Sequence, residues 1–210
     1  MKHYIFDLDG TLIDSMPIWK DTGKNFLLSH GFTPPDNLQE IVKSQTLYQT
    51  AEHFQQELGV PFTAEEITSE IISFVEEQYR TTIPLKPFAK EFLEKEKKNG
   101  AKMCILTASE ASYIHLALNR LDISKYFDFV LTCTETGLYK SGPEVFQTAM
   151  ERLGGTPADT IVFEDALYAI KGAKQGGFTV YAIEDPVMEQ EKSEIQALAD
   201  RYFTSYEELL

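Results

Sequence analysis

The sequence predicts an α/β protein, a doubly wound parallel sheet with an all-helical block inserted into it. Three observations carry this. Short runs rich in β-branched and aromatic residues (HYIF, KMCILT, DFVLT, TIVFE and FTVYAI) alternate with amphipathic helical patterns from residue 88 onward. Residues 16–82 show helical periodicity in several pieces and no convincing strand. Gly and Pro fall where helices should start and stop.

In chain order, HYIF supplies the first strand. Helices are then predicted around 19–30, 38–42, 47–58 and 64–79, broken at 31–35 (GFTPP) and 59–61 (GVP). The pattern at 88–99 is amphipathic and stops at Gly100, a helix C-terminal signal. KMCILT leads into a helix at 111–121, and DFVLT into a loop that carries Lys140. Pro143 precedes a helix at 144–153 closed by Gly154-Gly155, and TIVFE runs into a helix at 166–175 closed by Gly176-Gly177. The domains read as 1–15 with 83–210 for the sheet and 16–82 for the helical block, with crossings near 14–16 and 81–84. There is no internal repeat and no low-complexity tract.

The formal net charge of -14 disfavours nucleic acid as a partner. It repels a phosphorylated small molecule too, so such a ligand needs a local cation. Cys104 and Cys133 each sit in an apolar run and read as buried, reduced core thiols. The opening MKHYIFDLDG has no apolar core of a signal peptide, and no run approaches a membrane span. A cytoplasmic protein, monomer or weak dimer, without membrane association is expected. His3, His30, His53 and His115 show no ligand spacing, and the charged run at 94–98 reads as a solvated helix face.

The stretch YIFDLDGTLIDS, residues 4–15, holds the first chemical signal. Residues i and i+2 of a strand point to one face, so Asp7 and Asp9 can converge while Leu8 turns into the core. Two carboxylates about 4 Å apart repel by about 4 kcal/mol at an effective dielectric of 20. A divalent cation removes that conflict, and Mg²⁺ takes hard oxygen ligands. Ligands of open parallel sheets bind at the carboxyl ends of the strands, where Asp7 and Asp9 lie. KMCILT ends there in Thr107-Ala108-Ser109, a hydroxyl and amides suited to an anion. TIVFE ends in Glu164-Asp165, a second acidic pair, and the loop GLYKSGP brings Lys140. Together these make an anion-plus-metal site drawn from four loops. Asp14 reads as a cap for the next helix or a hinge residue.

These motifs, in this order along essentially the whole chain, resemble the haloacid dehalogenase superfamily, in its phosphatase branch with a helical cap on a Rossmann-like core. DLDGTLID is similar to the family's nucleophile loop, and the Thr of ILTAS to its second motif. Lys140 with Pro143 matches the third, and VFEDALYAIKGAKQGG the fourth. The resemblance implies Asp7 as nucleophile through an aspartyl-phosphate, and Asp9 as general acid and base. It implies Mg²⁺ on Asp7, Asp165 and the Asp9 backbone carbonyl, with Glu164 close by. Thr107 and the amides of Leu8 and Ala108 are expected to bind phosphoryl oxygens, and Lys140 to neutralise charge. Closing of the cap about hinges near Ser15 and Thr82 is expected to gate turnover.

Cleavage of a carbon–halogen bond needs no acid on a leaving alkoxide, so Asp9 favours phosphate esters. A β-phosphoglucomutase-like mutase is the nearer alternative. It needs an anchor for a distal phosphate, yet no Arg precedes Arg80, and the main cations of the cap are Lys20, Lys24 and Lys43. A monophosphate with an uncharged distal end is expected, with Trp19 as a contact and Phe26, Tyr48 and Phe54 as further aromatic candidates. A non-catalytic module that kept the fold is a third reading. Ser141 replaces the Pro that usually follows the motif lysine, which predicts a looser Lys140.

Overall fold

Strand β1 (His3–Phe6) lies inside a six-stranded, all-parallel sheet with β2 (Lys102–Thr107) on one side and β4 (Thr160–Glu164) on the other. The computed structural model describes residues 2–42 and 45–210. The strand order is β3-β2-β1-β4-β5-β6, with β3 at Phe129–Thr132, β5 at Thr179–Ile183 and β6 at Arg201–Phe203. Phe6 pairs with Ile105 on one side and Phe163 on the other, so β1, β2 and β4 end nearly level. The order reverses at β1, which places the ligand crevice of such sheets at these three ends.

Alternate residues of the central strands build two different cores. Ile5, Cys104, Leu106, Val162 and Val180 join Val145, Phe146 and Ile170 in one buried aliphatic cluster. Phe146 belongs to α8 (Glu144–Leu153) and Ile170 to α9 (Leu167–Gln175). The opposite face is aromatic. Phe6 stacks on Phe163 at 4.5 Å between ring centres, and Tyr4, Phe92, Phe203 and Tyr206 close around them. Phe92 comes from α5 (Ala89–Lys98). Both faces of the sheet are therefore covered, as a parallel sheet requires.

The chain divides into two compact units, Met1–Met16 with Ile83–Leu210, and Pro17–Thr82. The second unit holds most of α1 (Met16–Ser29), then α2 (Leu38–Val42), α3 (Leu47–Gln56) and α4 (Ala64–Thr81). Thr46 with Gln49, and Thr63 with Glu66, form capping boxes that start α3 and α4. Ile67, Ile71, Val75 and Tyr79 make one buried stripe along α4. Phe26 and Phe54 stack inside this unit and are core rather than contact surface. Tyr48 is exposed and donates to Glu65 at 2.6 Å. Lys43 lies outside the described residues.

Other differences from the sequence reading are local. Strand β6 and α10 (Lys192–Leu198) were not expected, because three residues of RYF carry too little pattern to register. The helix after β2, α6 (Ala111–Arg120), starts where the pattern placed it and ends one residue earlier. Cys133 is not a core thiol; it opens the single turn α7 (Cys133–Thr136) and is half-buried, whereas Cys104 is buried. The run at 94–98 is not wholly solvated, since Glu96 is buried and accepts a 2.7 Å bond from the Tyr4 hydroxyl. Asp14 does not stand alone: its carboxylate lies 3.5 Å from Lys86 Nζ, and its N–H donates to the Pro84 carbonyl.

One strained residue stands out. Phe88, at the N-cap of α5, has φ 61° and ψ 12°, a left-handed conformation that a bulky side chain adopts at a cost, and its ring is 41% exposed. Phe88→Gly is expected to raise stability by about 0.5–1 kcal/mol, the strain relief being partly offset by a freer unfolded chain. Urea unfolding checks this, and an unchanged or lower midpoint would refute it.

Candidate active site

The carboxyl ends of β1, β2 and β4, with the loop before α8, gather five of the expected residues in the sheet unit. Asp7 follows β1 directly, and its N–H donates to Phe163 O at 2.9 Å, extending the ladder one residue. Its carboxylate, 7% exposed as a residue, accepts from Lys140 Nζ at Oδ1. The same ammonium donates to Glu164 Oε1 at 2.7 Å. Glu164 Oε2 accepts the N–H groups of Asp165 at 2.9 Å and Ala166 at 3.0 Å, so both of its oxygens are engaged. Asp165 Oδ1 accepts from the Thr11 hydroxyl at 3.0 Å.

Asp9 points elsewhere. Its Oδ1 accepts from Ser15 Oγ and its Oδ2 from Ser109 Oγ, each at 2.6 Å. Leu8 is fully buried, and its carbonyl accepts from the N–H groups of Leu12 and Ile13, closing the turn. Thr107 is buried, with its hydroxyl accepting from Ser109 N–H at 3.0 Å, while Ala108 is exposed. Trp19 belongs to the helical unit, where its indole N–H donates to the Tyr79 hydroxyl at 2.9 Å. It lines a cavity of about 240 Å³ there with Lys20, Lys24 and Gln39.

Two glycines keep this arrangement possible. A Cβ on Gly10, where φ is +82°, would lie 2.5 Å from Asp165 Oδ2. A Cβ on Gly172 of α9 would lie 2.1 Å from the Lys140 carbonyl and 3.0 Å from that of Gly142. The Lys140 loop thus rests directly on α9. That packing and the two carboxylates hold Lys140 at its backbone and at its ammonium.

Thr11, Ser15, Gly10 and Gly172 were not assigned to the site by sequence reasoning. Thr11 and Gly10 sit inside the GTL turn, and only the fold shows which of its atoms face Asp165. Tyr206, near the C-terminus, donates from its buried hydroxyl to Thr11 O at 3.3 Å and props the same turn from the aromatic side.

Asp7, Glu164 and Asp165 can each offer one oxygen within 4.8 Å of the others, and all three are buried. No histidine or cysteine belongs to this cluster. Burial pushes the Asp7 carboxyl from an ordinary 3.8 up to about 7; Lys140 opposes the rise, while Glu164 and Asp9 add to it. Burial, then Glu164 and Asp7, hold Asp165 well above its ordinary range. Burial works against the Lys140 ammonium, but Asp7 and Glu164 outweigh it and hold the lysine charged. Three buried carboxylates against one ammonium leave an excess of negative charge. Hard oxygen donors, close together, with Asp165 Oδ2 cleared by Gly10, fit a divalent cation such as Mg²⁺.

Two consequences are testable. An acid raised in the folded state keeps its proton there, so its contribution to stability falls as pH rises from about 4 to about 7. For Asp7 the gap between the two values corresponds to at most about 4 kcal/mol. Asp7→Asn should therefore gain stability over the cation-free parent across that window, and added Mg²⁺ should narrow the difference. Denaturant unfolding at several pH values checks this, and a difference independent of pH would contradict it. Gly172→Ala should displace the Lys140 loop and cost about 1–3 kcal/mol. Unaltered unfolding and unaltered Mg²⁺ binding by calorimetry would refute the packing role.

A family model described as haloacid dehalogenase-like hydrolase matches residues 4–183. A phosphorylated carbohydrates phosphatase of Thermotoga maritima is 24% identical over 177 residues, covering 84% of this chain and 82% of that protein. The fructose-1-phosphate phosphatase YqaB of Escherichia coli is 25% identical over 178 residues, covering 82% and 91%. The crystal structure of CbbY from Rhodobacter sphaeroides in complex with phosphate superposes with a TM-score of 0.80 at 17% identity, covering 100% of this chain and 96% of that one, a likeness of fold. The chain belongs to the haloacid dehalogenase-like hydrolases.

Proposed function

We propose that the protein is a Mg²⁺-dependent phosphomonoesterase that hydrolyses a small phosphorylated metabolite through an aspartyl-phosphate on Asp7. The observation that carries this reading is the buried Lys140 ammonium bonded to both Asp7 and Glu164, beside Asp165. A divalent cation held by Asp7 and Asp165, with the Asp9 carbonyl, would offset the charge of the phosphoryl group and of the carboxylates around it. Lys140 opposes the protonation that burial favours and orients Asp7, and the bound cation would favour its ionised form further. Asp7 then attacks phosphorus, its oxygen forming a bond as the bond to the leaving oxygen breaks. Asp9, protonated at that moment, gives its proton to the leaving oxygen. In the second half Asp9 takes a proton from water, the water attacks phosphorus, and the bond to Asp7 breaks, freeing phosphate and restoring both side chains. The Thr107 hydroxyl and the amides of Leu8 and Ala108 are assigned to the phosphoryl oxygens.

Hydrolysis is favoured over a mutase reaction because no arginine precedes Arg80 to anchor a second phosphate. The first arginine of the chain, Arg80, is exposed on α4 and lies 3.7 Å from Glu77. The phosphorylated carbohydrates and fructose 1-phosphate named for the relatives make a carbohydrate monophosphate the first class to test.

Phosphate release from p-nitrophenyl phosphate and a panel of metabolite monophosphates, with and without Mg²⁺, tests the reading. Release should require Mg²⁺ and vanish in Asp7→Asn. Asp9→Asn should lose about 10²–10⁴ in kcat while the protein still binds Mg²⁺. A folded, Mg²⁺-binding protein that releases phosphate from no monoester would overturn the hydrolase reading, and isomerisation dependent on a bisphosphate would replace it with the mutase.

A further inference from the structure

The sheet unit leaves few large apolar side chains exposed, and one of them, Tyr168, stands beside the acidic cluster. It lies in the first turn of α9, three residues after Asp165, and is 53% exposed. Its neighbours Leu167, Ala169 and Ile170 are buried in the aliphatic core. The ring therefore takes the outward side of the turn without anchoring the helix. Tyr168 and Gly172 are four residues apart, so they share one face of α9. That face carries the Lys140 loop, because a Cβ on Gly172 would strike the Lys140 carbonyl. Side chains on a helix lean toward its N-terminus, which tips the ring toward the Glu164-Asp165 end. Burial of its hydroxyl end, then the Glu164 carboxylate, push the phenol up, with Lys140 opposing. The hydroxyl end thus lies within the field of the site while much of the ring faces solvent.

The geometry points to Tyr168 as a specificity-determining residue, a platform at the rim on which the carbon face of the leaving group packs once its phosphoryl group lies at Asp7. The inference rests on the hydrolase reading and adds a residue to it. A ring of this kind favours a leaving group large enough to reach the rim and presenting C–H surface, as a sugar or polyol does, over a small acyl group. The phosphoryl position itself, held by groups other than Tyr168, should be indifferent to the ring.

Steady-state kinetics of the full chain with Mg²⁺ test this, using acetyl phosphate, p-nitrophenyl phosphate and the best-cleaved sugar phosphate. Tyr168→Ala should raise KM for the two larger esters about tenfold, with kcat changed less, and leave kcat/KM for acetyl phosphate within about twofold. Tyr168→Phe should restore KM for the larger esters. Equal losses on all three substrates would mean that the ring acts only through the Lys140 loop, and no change on any would mean that it touches no leaving group; either result overturns the inference. Thermal unfolding of both variants separates a folding defect from these outcomes. A parent protein inactive on all three overturns the hydrolase reading itself, and the role of Tyr168 falls with it.

Discussion

A single ammonium group holds the sheet unit's acidic centre together. Lys140 is almost fully buried and donates to Asp7 and Glu164 at once. Without it, three carboxylates would share a low-dielectric space with no cation of the chain bonded to them in the described structure. Removing one partner of such a buried arrangement typically costs about 3–5 kcal/mol, because the remaining charge is stranded. The lysine is also positioned from its backbone side, where its loop lies on Gly172. Ion pairing and packing thus fix the same residue from opposite ends.

The sheet explains why these groups can meet at all. Parallel pairing of β1 with β2 and β4 puts Asp7, Thr107 and Glu164 at the same edge, although they are far apart in sequence. The rings beneath do part of the positioning. Tyr206 packs against Phe163 and Phe92, and its hydroxyl supports the Thr11 carbonyl, while the Thr11 side chain holds Asp165. A residue four positions from the C-terminal Leu210 therefore contributes to the order of a turn near the N-terminus. Elsewhere in the same unit, Lys86 bonds to Asp185 at 2.8 Å and lies near Asp14, a second buried cation that ties the two crossing segments to the sheet.

The fold was legible where local pattern and tertiary demand agree. Strand runs such as KMCILT and TIVFE are apolar because both faces of the sheet are covered, and Gly100, Gly154 and Gly176 mark helix ends. RYF was not legible, since an edge strand of three residues is stabilised by pairing with β5 rather than by its own composition. The candidate site was legible as residue types at strand ends: Asp7, Glu164, Asp165, Thr107 and Lys140 lie there, and the first three form a cluster. The partners that orient them were not legible. Ser15 on Asp9 and Gly172 under Lys140 act through contacts that span turns and elements, which spacing along the chain does not report. Glu96 shows the same limit in reverse: its charged neighbours hide a carboxylate that the Tyr4 hydroxyl draws inside.

The two aspartates of the opening motif differ less in distance along the chain than in what holds them. Lysine can only donate, so the bond from Lys140 requires Asp7 to accept, which suits a carboxylate that must present a lone pair. A serine hydroxyl can donate or accept. Ser15 and Ser109, one on each oxygen of Asp9, can therefore satisfy that side chain with or without a proton by rotating their own hydrogens. The acid and base role proposed for Asp9 would be served by partners of that kind. What distinguishes the two aspartates is thus the chemistry of their neighbouring side chains, Lys140 on one and Ser15 and Ser109 on the other.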